Sequence, residues 1–208
     1  MTSTRSPTDQ ERFWTGPFGD QYTERNSDPD WVARNRALFA RALARTTGIA
    51  SVLELGGNRG LALAALRQLL PAAALSAVEI NASAAGHLAA IDRVTIHRQS
   101  ILDFLPPSRY DLVVTKTVLI HIAPTDLPQV YDLLLSATAR YLLVAEYYNP
   151  TPIEVTYRGH TGVLWKRDFA GELMDRHPSL HLVDYGFTYH RDPVAPQDDL
   201  TWFLLEKH

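Results

Sequence analysis

The chain has 208 residues, of which 46% are hydrophobic and 21% charged, and its formal net charge is −3. That length and balance fit one soluble globular domain with a large core, and the negative charge argues against a general nucleic-acid or membrane-surface binder. Cysteine is absent, which excludes disulfides, thiolate metal sites and a cysteine nucleophile.

Residues 1–11 are polar and hold no apolar signal-peptide core, and residues 1–10 read as a disordered tail. The apolar region 61–80 is interrupted by Arg67, Gln68 and Pro71, so it is no membrane span. A cytoplasmic location follows as the default. Residues 13–26 mix aromatics and glycines without clear period and read as a folded-over loop with a short helix. The pattern predicts a helix over 31–46, with Asp28 or Asp30 capping its start and Gly48 at the C-terminal cap. Trp31, Val32, Leu38, Phe39 and Leu43 give it one apolar face.

Strands are predicted at 51–55, 75–80, 94–98, 110–115 and 141–146. Helices are predicted at 61–70 and 82–90, with a third after Pro124 that spaces Leu127, Val130, Tyr131, Leu134 and Leu135 helically. Residues 147–166 show no regular pattern. A helix near 167–176, a strand near 181–187 and a last strand at 200–206 complete the chain. Alternating strands and helices imply a parallel sheet covered on both faces. The last two strands are joined without a helical pattern, so they are expected to pair antiparallel.

The chain is organised around Ser51-Val52-Leu53-Glu54-Leu55-Gly56-Gly57-Asn58-Arg59-Gly60, a buried strand running into a glycine-rich turn and a helix start. It is not a dinucleotide fingerprint, because Asn58 and Leu61 stand where the second and third glycines belong, and it is not a P-loop. Glu54-x-Gly56-x-Asn58-x-Gly60 resembles motif I, E-x-G-x-G-x-G, of class I S-adenosylmethionine-dependent methyltransferases. Asn in the middle place is mild, since Asn tolerates positive φ. A plain strand-to-helix turn of an α/β domain is the alternative. The resemblance implies a Rossmann-like class I methyltransferase fold: a seven-stranded, mostly parallel sheet with an antiparallel last strand and helices on both faces. Residues 1–50 would form a cap segment and helix over the cofactor, and 51–208 the methyltransferase domain.

Glu79 closes the second strand, where an acid can accept both ribose hydroxyls of a nucleoside, or can be a solvated acid beside a helix start. Ile80 and Asn81 follow, and Asn81 reads chiefly as a helix cap. Gly57 belongs to the turn. In methyltransferases the loop holding Ser100 and Ile101 borders the adenine; here they can equally be a loop Ser and a core Ile. Lys116 and Val118 sit at the carboxyl edge of the fourth strand, where Lys116 can lie over the cofactor or pair with a carboxylate. His121 is either a base or hydrogen-bond donor to the substrate, or a histidine packed under the loop. Within 147–166 and just beyond it lie Tyr147, Tyr148, Asn149, Arg158, His160, Lys166 and Arg167. The cationic members would suit an anionic substrate, or would pair with Glu154 and Asp168 in a solvated loop. His121, His160 and Tyr148 are the candidate catalytic groups. No metal site is expected: Pro178 separates His177 from His181, and Lys116 and Glu146 do not match the acidic cluster of metal-dependent catechol methyltransferases.

A closer resemblance spans nearly the whole chain. Phe13-Trp14, Phe18-Gly19-Asp20-x-Tyr22-x-x-Arg25-Asn26, Ser100-Ile101-Leu102-Asp103-Phe104 and Lys116-x-Val118-Leu119-Ile120-His121-Ile122 carry it, as do Glu146-Tyr147-Tyr148-Asn149-Pro150, Tyr157-Arg158-Gly159-His160 and Asp184-Tyr185-Gly186-Phe187. Together with the turn they are similar to the pseudaminic acid biosynthesis-associated methylases. That resemblance implies S-adenosylmethionine as cofactor and methyl transfer to O or N of a small, anionic biosynthetic metabolite such as a nonulosonic or nucleotide sugar. Amino acid, peptide and secondary-metabolite pathways are the alternative. Trp14 or Tyr22 would face the sulfonium, and Arg25 or Lys116 would hold the methionine carboxylate. The partner is a small-molecule substrate, with no nucleic acid and no membrane; a homodimer is compatible with the sequence. A non-catalytic nucleoside-binding relative and a dinucleotide oxidoreductase are the rival classes.

Overall fold

Val52 to Leu55 are all buried, and they form the centre of the first strand, β1 (Ser51–Leu55). A strand buried on both faces reads as a continuous apolar run, and its side chains still alternate between two layers. Val52 enters one core with Leu112, Val114, Leu143 and the helices packed there. Leu53 and Leu55 enter the other, with Val113, Leu142 and Val144.

The computed structural model describes residues 5–208. After β1 come α4 (Leu61–Leu69), β2 (Ala74–Val78), α5 (Ala82–Leu88), β3 (Val94–His97), β4 (Tyr110–Lys116), α6 (Leu127–Ala137) and β5 (Thr138–Glu146). A short hairpin of β6 (Ile153–Glu154) and β7 (Trp165–Lys166) follows, then α7 (Phe169–Arg176), β8 (Leu180–Phe187) and β9 (Thr201–Lys207). Before β1 stand α1 (Asp9–Thr15), α2 (Pro17–Arg25) and α3 (Asp30–Ala42). The main sheet has seven strands in the order β3-β2-β1-β4-β5-β9-β8. All neighbours pair parallel except β9, which is antiparallel to both β5 and β8. Residues of α3, α4 and α5 cover one face, and residues of α6 and α7 the other. The expected fold is therefore present, including the antiparallel last strand.

The order reverses beside β1: the chain builds outward through β2 and β3, then returns to place β4 on the other side. Open α/β sheets bind ligands at the carboxyl ends of the strands at such a reversal. Among the described residues no helix is long and apolar enough to cross a membrane.

Several boundaries differ from the sequence expectation. The supposed tail holds a helix start: Thr8 accepts from Glu11 N while Glu11 accepts from Thr8 N, a capping box that opens α1. Residues 1–4 of that tail lie outside the described residues. Residues 13–26 are mostly helical, because Gly16 ends α1 and Pro17 opens α2 at its first position. These helices pack through a Phe13–Phe18 ring stack (centroids 4.1 Å apart) rather than an aliphatic stripe. Helix α3 stops at Ala42, and Gly48, though at φ +70°, stands in the connection to β1. Strand β5 begins at Thr138, directly after α6.

Candidate functional site

The turn after β1 is built from three left-handed residues, Gly56 (φ +70°), Asn58 (φ +44°) and Gly60 (φ +79°). A Cβ on Gly56 would sit 2.6 Å from Val118 Cγ2, so only glycine lets the turn pass under the loop after β4. Gly56 N and Gly57 N donate to Val78 O at 2.8 and 3.2 Å. Glu79 clamps the other side: Oε2 accepts from Asn58 N and Oε1 from Asn81 N, both at 2.7 Å. Burial pushes its carboxyl up and the backbone N–H groups oppose that. Asn81 also caps α5 by accepting from Ala84 N.

These groups line a cavity of about 210 Å³ at the carboxyl edge of the sheet. Its floor holds Glu54, Gly56, Gly57, Asn58, Glu79, Ile80 and Asn81. Ser100 and Ile101 close one end; Lys116, Val118 and His121 come from the loop after β4. Trp14 and Tyr22, from α1 and α2, also line it.

The remaining candidates stand elsewhere. Gly60 shapes the start of α4, where a Cβ would meet Ile91 at 2.2 Å. Arg25 lies over the Phe18 ring, 5.5 Å from its centroid, and does not line the cavity. Tyr147 does not line the cavity; its hydroxyl donates a hydrogen bond to the carboxylate of Asp198, which does, and burial and that carboxylate push its pKa up. Tyr148 is exposed and faces Phe203. Asn149 Nδ2 donates to Thr151 O. Arg158 lies over the Tyr157 ring, and exposed His160 packs edge-on against Phe13 and Phe18. Arg167 is held by Glu172 at 2.8 Å, and Lys166 lies over Tyr147. The cationic cluster expected around the substrate thus does not line the cavity: Arg158 and Lys166 lie over rings, Arg167 is paired with Glu172, and His160 packs on the N-terminal helices.

His121 is buried, and its Nδ1 lies 2.7 Å from Val163 O. A carbonyl only accepts, so Nδ1 carries the proton and Nε2 keeps a lone pair. The rings of Trp14 and Tyr157 flank it at 4.6 and 5.4 Å. Burial lowers its pKa to about 4, against a smaller opposing pull from the Val163 carbonyl. Glu146 holds the same loop, accepting on Oε1 from Thr115 Oγ1, Val118 N and Leu119 N at 2.9 to 3.1 Å; burial raises it to about 7. Glu54 is pushed up to about 8 by burial, with Lys116 opposing. Lys116 is lowered by burial, opposed by Asp198, Glu54 and Glu146, and its ammonium lies 5.6 Å from the Trp31 ring centroid.

Three wall residues carry buried polar atoms without a partner among the described residues: Trp14 Nε1, Asn35 Oδ1 and Glu54 Oε2. Each such atom costs about 1–3 kcal/mol if it stays unpaired. Five further such atoms, on Arg67, His97, Glu146, His177 and Gln197, lie away from the cavity among the described residues, so unpaired atoms alone do not mark this wall.

Sequence reasoning missed Glu11, Trp31, Asn35 and Asp198, which also line the cavity. The capping box Thr8-x-x-Glu11 was the available signal for Glu11. Arg5 bridges it to the loop after β3, donating to Glu11 and, from Nε, to Asp103 at 3.0 Å. Burial would raise the Glu11 carboxyl, but Arg5, Ser100 and Thr8 N–H outweigh that and hold it at about 2. Asp198 opens Asp198-Asp199-Leu200-Thr201-Trp202-Phe203, a stretch that also fits the resembling methylases, but nothing local gave it a site role, because it arrives from the β8–β9 connection.

No protein-family model matches the sequence, and no curated protein matches it. Solved structures do. The Burkholderia thailandensis 1,6-didemethyltoxoflavin-N1-methyltransferase, with 1,6-didemethyltoxoflavin and S-adenosylhomocysteine bound, superposes with a TM-score of 0.71 at 14% identity over 100% of this chain and 92% of that one. Magnesium protoporphyrin IX methyltransferase from Synechocystis PCC 6803, with S-adenosylhomocysteine, gives 0.68 at 15% identity over 96% and 100%. The N-methyltransferase NodS from Bradyrhizobium japonicum, also with S-adenosylhomocysteine, gives 0.64 at 17% over 90% and 97%. At such identities the likeness speaks for architecture alone: the chain has the Rossmann-like fold of the S-adenosylmethionine-dependent methyltransferases.

Proposed function

We propose that the chain is an S-adenosylmethionine-dependent methyltransferase acting on an O or N atom of a small molecule. The observation that carries this reading is convergence: Glu54, the Gly56–Arg59 turn, Glu79 and the Ser100–Ile101 loop all line one cavity at the sheet reversal. Three solved neighbours with this fold contain the demethylated cofactor, which supports the same choice here.

The residues present fit that cofactor. Glu79 has one backbone N–H on each carboxylate oxygen and keeps lone pairs for a ribose diol. Glu54 Oε2, buried and unpaired, fits an ammonium group. Lys116 would hold a carboxylate, and Ser100 and Ile101 would border the base. We read residues 1–50 as the cap: Trp14 and Tyr22 would screen the reacting centre from water and place ring faces near positive charge, worth about 0.5–2 kcal/mol. When bound, the cofactor supplies an electrophilic methyl group on a sulfonium. The protein's main task is then alignment, which can remove roughly 7–11 kcal/mol of barrier.

His121 is the base of this reading. Its Nε2 is free, and its ring is fixed by Val163 O and by two aromatic neighbours. For a hydroxyl acceptor, the oxygen that has gained the methyl group is a strongly acidic oxonium, so a base lowered to about 4 takes its proton. His160 and Tyr148, outside the cavity, have no part in this scheme.

The resemblance to the pseudaminic acid-associated methylases rests on the loop sequences and supports a biosynthetic role. The overall negative charge supports a small-molecule partner over nucleic acid. Glu79→Ala should weaken S-adenosylhomocysteine binding by about 1–3 kcal/mol, because it leaves the ribose diol unpaired in the bound state. Equal affinity of Glu79→Ala and the parent in calorimetric titration would remove Glu79 from the cofactor site.

A further inference from the structure

Two exposed guanidiniums act on one wall of the cavity. Arg25, on α2, lies 5.5 Å from the Phe18 ring centroid, and Arg158, in the turn between β6 and β7, lies 5.8 Å from the Tyr157 ring centroid. Phe18 and Tyr157 meet at 5.9 Å, so both cations lie over one aromatic pair. Both also reach the hydroxyl of Tyr22, which lines the cavity. Burial pushes that hydroxyl up, Tyr157 and Asp198 add to this, and Arg158 and Arg25 oppose it. Among the described residues neither guanidinium forms an ion pair or a hydrogen bond.

The carboxylates on the neighbouring elements are engaged elsewhere. On α2, Asp20 accepts from Asn81 Nδ2 at 2.9 Å, and Glu24 lies 3.8 Å from Arg59 and 3.7 Å from His87. On the hairpin, Glu154 accepts from Gly162 N at 2.6 Å. Asp198 accepts from the Tyr147 hydroxyl and acts on Lys116. Two positive charges are thus left with ring partners only. A ring takes the face of a guanidinium and leaves its N–H edge free for a planar oxyanion.

The turn that carries Arg158 is a second observation. Tyr157 and His160 exchange backbone hydrogen bonds at 2.8 and 2.9 Å. The two residues between them are left-handed, Arg158 at φ +50° and Gly159 at φ +85°. Such a turn favours Asn, Asp or Gly at its first central place. An arginine there holds a strained backbone, and residues kept in that region cluster at active sites and ligand clamps.

We infer that Arg25 and Arg158 form an oxyanion site beside Tyr22, which takes a phosphate or carboxylate group of the acceptor while its nucleophile enters the cavity. This rests on the methyltransferase reading. A guanidinium offers either oxyanion two parallel N–H donors. The anionic acceptor expected from the sequence thereby gains a different pair of cations. Arg25 is taken from the methionine carboxylate, because it does not line the cavity.

The test uses inorganic phosphate and acetate as probes of the two oxyanion classes, with sodium chloride at matched ionic strength as the control. Each is titrated into the full-length protein saturated with S-adenosylhomocysteine, and the arginine Nε–H signals are followed by NMR. One or both probes should shift the Arg25 and Arg158 signals along a common saturating curve, and the tighter probe names the class. Arg25→Gln and Arg158→Asn should each weaken that binding about tenfold, the loss of one charged arm. Asn tolerates the left-handed backbone, so Arg158→Asn should melt no lower than the parent, which separates lost binding from unfolding. Shifts that do not saturate, or that sodium chloride reproduces, overturn the inference, as does parental affinity in either variant. Loss of S-adenosylhomocysteine affinity in Arg25→Gln returns that residue to the methionine carboxylate and overturns it too. Failure of S-adenosylhomocysteine to bind the parent strikes the methyltransferase reading instead, so the two outcomes are distinct.

Discussion

At position 56 a single methyl group decides whether the turn can exist. The backbone is left-handed there, and Val118 Cγ2 stands 2.6 Å from where the Cβ would be. Gly56→Ala should therefore cost about 1–3 kcal/mol in stability, combining strain at a special φ with overpacking. The double variant Gly56→Ala/Val118→Ala should recover the steric part and keep the roughly 1–2 kcal/mol left-handed strain. Urea denaturation of both variants checks this; a double variant no more stable than the single one contradicts it. Glu54 makes a different case. Its carboxyl is raised from 4.5 to about 8 by burial, so the unfolded chain loses that proton near pH 4.5 and the folded chain only near 8. Stability from this group is fully present below pH 4.5 and declines as pH rises towards 8. Glu54→Gln should abolish that decline and melt higher at pH 8, by roughly 2–4 °C for each kcal/mol regained. The same change should weaken S-adenosylhomocysteine binding. Identical pH profiles for parent and variant would show that the carboxyl is not held protonated.

At the scale of elements, the N-terminal helices are tied to the loop after β3 by Arg5, which joins Glu11 and Asp103 across a long span of sequence. Arg5→Ala should loosen α1 and raise the dissociation rate of S-adenosylhomocysteine severalfold, roughly the effect of one partly screened ion pair. Glu11 titrates near 2 in the folded chain against 4.5 in its free form, so its stabilisation is complete above pH 4.5 and fades as pH falls towards 2. The stability difference between parent and Arg5→Ala should shrink over that range. A difference independent of pH would mean that Arg5 acts by packing alone. This region was also the least legible in the sequence. Its helices bury aromatic rings against one another, as Phe13 does against Phe18, so no apolar period marks them, although Thr8-x-x-Glu11 and Pro17 were in view. The β6–β7 hairpin was hidden for another reason: its strands are two residues each, below any alternating pattern.

At the scale of the whole molecule, the sheet was legible because its central strands are buried on both faces and read as short apolar runs between turn residues. The antiparallel pairing of β9 with β8 followed from a connection without helical pattern. The half of the cavity built by sheet edges was legible too: Glu54 is the penultimate residue of β1, Glu79 follows β2, Lys116 ends β4, and each lines the cavity. The half supplied from a distance was not. Asp198 comes from the β8–β9 connection, and Arg158, Lys166 and Arg167 meet Tyr157, Tyr147 and Glu172 instead of lining the cavity. The methyltransferase reading joins both halves around one cofactor. Calorimetric titration of the full chain with S-adenosylhomocysteine, with NADH as the control ligand, tests it most directly. Micromolar one-to-one binding of S-adenosylhomocysteine and no heat from NADH are expected. Binding of NADH, or of neither ligand, would contradict it.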